Sequence, residues 1–316
     1  MADCLGQHSH CYTLKEKIKF YFRSHRLLCF FLLLLLVACN GEKKVGQEEI
    51  VLHDDLGREI RLPKQPERVM ALASSMTEML FAVLDTARIV GRTQNDDYPA
   101  AALRKPIINN YPVDYEQVLR LKPDLIFTTE GITPLDAAAR LEEMGVPVYY
   151  QNYKKVEDIF SGLVDIGRIT GREQQAQHLA DSLRRQVAEI RKRHQQEKNP
   201  QRVLAITWKD PIYVYGQNTI LTDKLHILGA ENAVEEVFEQ PYPALTREYI
   251  LKLNPDVLLG DSPKIFEEKF FSLYPELRRI KAYQHKRLYD PTGNLMERPS
   301  PRVVESILEL EQFLYP

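Results

Sequence analysis

An α/β fold of two similar lobes joined by one long helix, with a ligand cleft between them, is predicted by three features of this 316-residue chain. The segment Glu116-Gln117-Val118-Leu119-Arg120-Leu121-Lys122-Pro123-Asp124-Leu125-Ile126 returns as Glu248-Tyr249-Ile250-Leu251-Lys252-Leu253-Asn254-Pro255-Asp256-Val257-Leu258. Each copy places a short helix, with a carboxylate in its first turn, before a buried strand. Short apolar runs alternate with helical patterns on both sides of the middle of the chain, the signature of a parallel sheet in each half. Between the halves, residues 173–196 hold no Gly or Pro and carry Ala176, Leu179, Leu183, Val187 and Ile190 at three- and four-residue spacing. Such a helix spans roughly 35 Å and reads as a rigid strut.

In chain order, residues 68–73 form a first apolar run, and Ser74-Ser75-Met76-Thr77-Glu78 opens a helix through Val83 with hydroxyls and an acid at its start. The alternation continues through residues 88–91, the helix from Glu116, a strand over 124–129, a helix over 135–144 and a strand over 146–150. Ile159, Leu163, Ile166 and Ile169 then mark a helix that stops at Gly171. The second half repeats the pattern: strands over 202–208 and 212–215, a helix over 222–228, the helix from Glu248 and a strand over 256–260. A helix near 265–271, a strand over 287–289 and a closing helix over 301–314 complete it. The expected organisation is a Rossmann-like first lobe over 51–171, a bridging helix over 172–197 and a Rossmann-like second lobe over 198–316.

The N-terminus belongs to neither lobe. Lys15, Lys17, Lys19, Arg23 and Arg26 precede an unbroken apolar run from Leu27 to Ala38, too short to span a bilayer as a mature helix and laid out like a secretory signal. The run ends Leu36-Val37-Ala38-Cys39, which resembles the lipobox of bacterial lipoproteins. That resemblance implies a signal peptide over 1–38, lipidation of Cys39, and a polar tether over 39–50 holding the protein at a membrane in the cell envelope. Cys4, Cys11, Cys29 and Cys39 all lie at or before the cleavage point, so the mature fold has no disulfide. Removing the leader, which carries a net charge of +3, takes the chain from −2 to about −5 and leaves no basic footprint for nucleic acid.

The ordered set Glu67-Arg68-Val69, Ser75-Met76-Thr77-Glu78, Asp97-Tyr98-Pro99, both Glu repeats, Thr170-Gly171-Arg172-Glu173, Leu228-Gly229-Ala230-Glu231-Asn232 and Glu297-Arg298-Pro299-Ser300-Pro301-Arg302-Val303-Val304-Glu305 covers nearly all of the mature chain. It resembles the helical-backbone (class III) periplasmic binding proteins of ABC importers for ferric siderophores, haem or cobalamin. The resemblance implies a monomer that presents a metal chelate to a permease and ATPase pair, with Glu116 and Glu248 docking onto permease arginines. Helix chemistry offers a second reason for these acids, since Asp114 and Thr246 are placed to cap the two helices and an acid in the first turn suits the macrodipole. The bound metal complex is cargo, and no cofactor is expected.

By position in the family, Trp208 and Tyr242 are aromatic ligand contacts, alternatively ordinary core residues. Tyr98 and Tyr111 are the first-lobe aromatic candidates, near Asn95, Asp96, Thr129 and Glu130. Arg298 is the better candidate fork for the oxygens of an anionic ferric complex, Arg302 is equally a second fork or a structural tie for the closing helix, and Asp290 and Met296 are further contacts by position. The cobalamin binders carry tryptophans in first-lobe loops where this chain has none. That difference, with Lys209 and Arg247 near the cleft, turns the expectation to a ferric siderophore, ahead of cobalamin and of haem with Tyr98, Tyr111, Tyr213 or Tyr215 as axial oxygens.

Other functions fit less well. His53, His178, His194, His226 and His285 are scattered with no pair at metal spacing, against capture of a bare metal ion. The chain has no Gly-rich phosphate loop, no Gly-x-Ser-x-Gly and no His-Glu-x-x-His, against a chelatase or hydrolase. All-β repeats expected of an adhesion lipoprotein are missing. A stiff strut further implies small lobe movements on binding.

Overall fold

The two copies of the sequence repeat fold into one local module used twice. The structure is a computed structural model that describes residues 49–316; the predicted signal, Cys39 and most of the tether lie outside the described residues. The chain divides after Glu49, and residues 50–316 form one unit.

The first lobe opens with an antiparallel hairpin, β1 (Ile50–His53) and β2 (Glu59–Leu62), which the sequence did not announce. Its turn is tied by Asp54, whose carboxylate accepts from the backbone N–H of Leu56 and Arg58 and from the Arg58 guanidinium. There follow β3 (Val69–Ala71), α1 (Ser74–Val83), the short parallel pair β4 (Arg92–Thr93) and β5 (Ile107–Ile108), α2 (Tyr115–Leu121), β6 (Leu125–Thr129), α3 (Leu135–Glu143) and β7 (Val148–Gln151). Strands β3, β6 and β7 make a parallel sheet in that order.

Two consecutive helices lead out of the lobe, α4 (Val156–Thr170) and α5 (Glu173–His194). The second lobe holds β8 (Arg202–Lys209), β9 (Ile212–Val214), α6 (Ile220–Ile227), β10 (Glu231–Asn232), α7 (Arg247–Leu253) and β11 (Val257–Leu259). A short helix α8 (Pro263–Ile265) runs through a π turn at Phe266–Phe270 into α9 (Phe271–Leu273). After α10 (Lys281–Gln284) come β12 (Leu288–Tyr289), α11 (Gly293–Met296) and α12 (Val303–Leu314). The parallel order is β10-β8-β11-β12, with β9 antiparallel on β8.

The repeated module has a clear physical logic. Asp114 caps α2 by accepting from Gln117 N–H at 3.0 Å, and Thr246 caps α7 by accepting from Tyr249 N–H at 3.2 Å. Both helices end in a left-handed residue, Lys122 (φ 49°) and Asn254 (φ 46°), which turns the chain toward Pro-Asp. The aspartates then pin the neighbouring strand: Asp124 Oδ2 accepts from Arg68 N–H at 2.9 Å, and Asp256 Oδ2 from Arg202 N–H at 3.0 Å. Arg68 returns the contact to the carbonyls of Leu121 and Lys122, and Arg202 to that of Leu253.

The parallel strands β3, β6, β7 and β11 are buried on both faces, as parallel strands covered by helices must be. Val69, Ala71, Leu125, Phe127, Val203, Ala205, Val257 and Leu259 face one central core, shared with buried residues of α1, α4, α5, α6 and α12. Alternate residues face outward into separate cores, Met70, Leu72 and Ile126 in the first lobe and Leu204, Ile206 and Leu258 in the second. The long helix is present, about 33 Å at 1.5 Å per residue, with Ala176, Ala180, Leu183, Val187 and Ile190 buried along one stripe. It packs against α4, and the lobes are joined by a shared helical layer of which α5 is one member.

Candidate ligand-binding cleft

Parallel sheets gather their loops at the carboxyl ends of the strands, and ligands bind there. The end of β3 leads to Ala73 and Ser74, β6 ends in Thr129 before Glu130, β7 is followed by Asn152, Tyr153 and Lys154, and β8 carries Thr207 and Trp208; all line one cavity between the lobes, of about 1060 Å³. Its first-lobe wall is mostly uncharged and polar, with Ser74, Ser75, Asn95, Asn110, Thr129 and Asn152. The second-lobe wall is aromatic, with Trp208, Tyr213, Tyr215 and Tyr242. Tyr215 and Tyr242 meet edge to face at 5.3 Å between ring centres. Burial first, then the Glu297 carboxylate, pushes both phenols above their usual range, so both present O–H groups at neutral pH.

Two wall features suit a large polar ligand. Asn110 donates through Nδ2 to the Leu72 carbonyl at 2.8 Å, while its buried Oδ1 has no partner among the described residues. The first turns of α1 and α6 also border the cavity, at Ala73–Ser75 and Asn218–Ile220, and neither has a side-chain cap. Their free N–H groups are therefore donors for ligand oxygens.

A cluster of charges closes one flank of the cleft across the lobes. The buried Glu78 of α1 receives Arg302 Nη2 at 2.6 Å, Arg302 Nε at 2.8 Å and Arg298 Nη1 at 3.1 Å. Arg298 also pairs with Asp97 and donates to the Asn95 carbonyl at 3.1 Å, and Asn294 donates to Asp97 at 2.9 Å. Burial alone would lower the pKa of the Arg298 guanidinium; Asp97 and Glu78 outweigh it and hold it raised.

Of the residues singled out from sequence, Asn95, Thr129, Glu130, Trp208, Tyr213, Tyr215, Tyr242 and Arg298 line the cavity. Trp208 is 63% exposed and fixed by its indole N–H, which donates to the Asp210 carbonyl at 2.8 Å. Tyr98 lies under the Arg302 guanidinium, 4.2 Å from the ring centre, and belongs to the flanking cluster. Tyr111, 78% exposed, and Asp290 are not among the lining residues, and Met296 is buried. Lys209 is paired with Asp261 at 2.5 Å, and Arg247 with Glu248 at 3.0 Å and Glu276 at 3.2 Å; neither lines the cavity. Glu116 and Glu248 are exposed in the first turns of α2 and α7, one per lobe.

Sequence reasoning missed Ser75, Asn110, Asn152, Lys154 and Asn218 as lining residues. Polar residues just after a strand were the available signal, and they are too common in loops to single out. Among the described residues no group of three His, Cys, Asp or Glu comes together to hold a metal, and no helix is long and apolar enough to cross a membrane.

A two-lobed fold with its strand ends converging on an interlobe cavity defines a ligand receptor, and comparison with known proteins agrees. The periplasmic binding protein family model matches residues 69–294, and the chain belongs to that family. It is 27% identical over 286 residues to YvrC of Bacillus subtilis, an uncharacterized ABC transporter substrate-binding lipoprotein, covering 88% of this chain and 89% of that protein. A vitamin B12-binding protein of Yersinia pestis is 26% identical over 259 residues, 80% of this chain and 88% of the relative. Among solved structures, a possible iron-binding (periplasmic solute-binding) protein of Staphylococcus epidermidis superposes with a TM-score of 0.71 at 28% identity, covering 80% of this chain and all of that one.

Proposed function

We propose that this protein is the lipid-anchored substrate-binding component of an ABC importer, and that it carries a large organic metal chelate, cobalamin foremost. The observation that carries the ligand reading is the pairing of two unlike walls. Trp208, Tyr213, Tyr215 and Tyr242 offer broad flat area, while the first-lobe wall offers small amides and hydroxyls and the unpartnered Asn110 oxygen. A flat macrocycle rimmed by amides matches both. The volume, about 1060 Å³, is just above the usual range for small-molecule sites. No bond is made or broken; selectivity is a difference in binding free energies.

Of the residues read from sequence, Trp208, Tyr213, Tyr215, Tyr242 and Arg298 remain the proposed ligand contacts, and Asn110 and Lys154 join them. Tyr98 and Asp290 have no contact role in this reading. A neutral ferric siderophore is the second reading, supported by the absence of aromatic residues other than Tyr153 on the first-lobe wall.

The test is a titration of the purified protein with cobalamin, ferric siderophores and haemin, following Trp208 fluorescence and visible absorbance. Saturable quenching at micromolar or tighter concentration by cobalamin is expected. A folded protein that answers none of the panel would overturn the reading.

A further inference from the structure

We infer that Glu239 and Glu297 set the charge selectivity of the cleft, turning away chelates with several negative charges, so that its ligand is a metal chelate of neutral or positive net charge. The inference rests on the chelate-receptor reading and narrows it.

The cavity wall carries three carboxylates, Glu130, Glu239 and Glu297, against two cations, Lys154 and Arg298. Arg298 is already matched by Glu78 and Asp97, and with Arg302 these four form a cluster of zero net formal charge. Among the described residues, Lys154 is then the one lining cation left for a ligand. Glu130 holds the Asn152 amide at 2.7 Å. The side chains of Glu239 and Glu297 make no hydrogen bond or ion pair among the described residues, so their fields are not cancelled locally.

These two carboxylates stand on the aromatic side of the cleft, where a flat ligand would lie. The field of Glu297 reaches both Tyr215 and Tyr242. The first turns of α1 and α6 oppose it with roughly half a positive charge each, which serves individual acceptor atoms and leaves the lining negative overall. A face of π systems flanked by carboxylates favours a cationic metal centre and disfavours an anionic one.

The experiment compares the purified wild-type protein with Glu239→Gln/Glu297→Gln, a change that keeps shape and removes charge. The probes are cobalamin, a neutral ferric trihydroxamate, and a ferric tricatecholate bearing three negative charges. Wild type is expected to bind a neutral chelate far more tightly than the tricatecholate. The double variant should gain roughly tenfold or more for the tricatecholate at low salt, an advantage that shrinks as salt is added, with less than about threefold change for the neutral chelates. Equal wild-type affinity for neutral and anionic chelates, or an unchanged tricatecholate affinity in the variant, would overturn the inference while the receptor reading stands. Failure of both proteins, each with an intact thermal transition, to bind any chelate would overturn the receptor reading and this inference with it.

Discussion

Lys224 on α6 is the most demanding single residue in the fold. Its ammonium is fully buried and surrounded by neutral acceptors, the carbonyls of Leu295 and Met296 at 3.2 and 3.0 Å and the Ser306 hydroxyl at 2.8 Å. Burial lowers its pKa from 10.5 to about 7, with Glu309 opposing the shift. The unfolded chain therefore binds one more proton than the folded chain between about pH 7 and 10, and stability must rise with pH across that window. Below pH 7 both states are protonated and the slope vanishes. Chemical denaturation from pH 7 to 10 should show wild type gaining up to about 1.4 kcal/mol per pH unit over Lys224→Met; parallel profiles would refute it. Residues of this kind resist reading from sequence. Arg298 and Glu78, 220 positions apart, gave no local signal that the arginine is held by a buried acid of the other lobe. Trp208 and Tyr242 were legible because Trp208 stands near the end of a recognisable strand, β8, and Tyr242 stands in the loop that precedes α7.

At the scale of elements, the duplicated motif was legible in its capping side chains and in the Pro-Asp that hands the chain to a buried strand, because each has a local cause; the left-handed stops at Lys122 and Asn254 came only from the structure. The β1–β2 hairpin and the π turn at Phe266–Phe270 were not. The hairpin is short and is tied down by distant residues, the Tyr149 hydroxyl donating to the His53 carbonyl and the Tyr150 N–H to Asp54, and a π turn is a single-turn irregularity with no sequence signature of its own. The α4–α5 contact depends on Gly167, where an added Cβ would meet the Ala176 methyl at 2.5 Å and the Arg172 carbonyl oxygen at 2.9 Å. Gly167→Leu should cost about 1–3 kcal/mol or more through overpacking, read as a lowered denaturation midpoint; an unchanged midpoint would mean that the two helices have slack. Helices α2 and α7 carry the docking proposal. Replacing Glu116 and Glu248 by Ala should lower uptake in cells and leave ligand affinity within experimental error, because neither side chain lines the cavity. Unchanged uptake at equal protein level would remove the docking role.

Over the whole molecule, the feature that governs behaviour is the single core running through both lobes. Inner strand faces from each sheet and one layer of helices are packed together, so opening the cleft by a wide hinge would expose residues such as Leu163, Ala180 and Leu221 that are fully buried. Ligand entry is then a matter of loops and small adjustments, and selectivity is fixed largely by the walls as they stand. The sequence pointed to this stiffness through the long helix, although the sharing of the load among α1, α4, α5, α6 and α12 arises from packing between distant segments. The central claim, a chelate held between an aromatic and a polar wall, is tested most directly by a crystal structure of the protein grown with cobalamin. The account predicts the corrin in the interlobe cavity, against Trp208 and Tyr242, with the central core that joins the lobes intact. A ligand seated elsewhere, or reached only after the central core has parted, would contradict it.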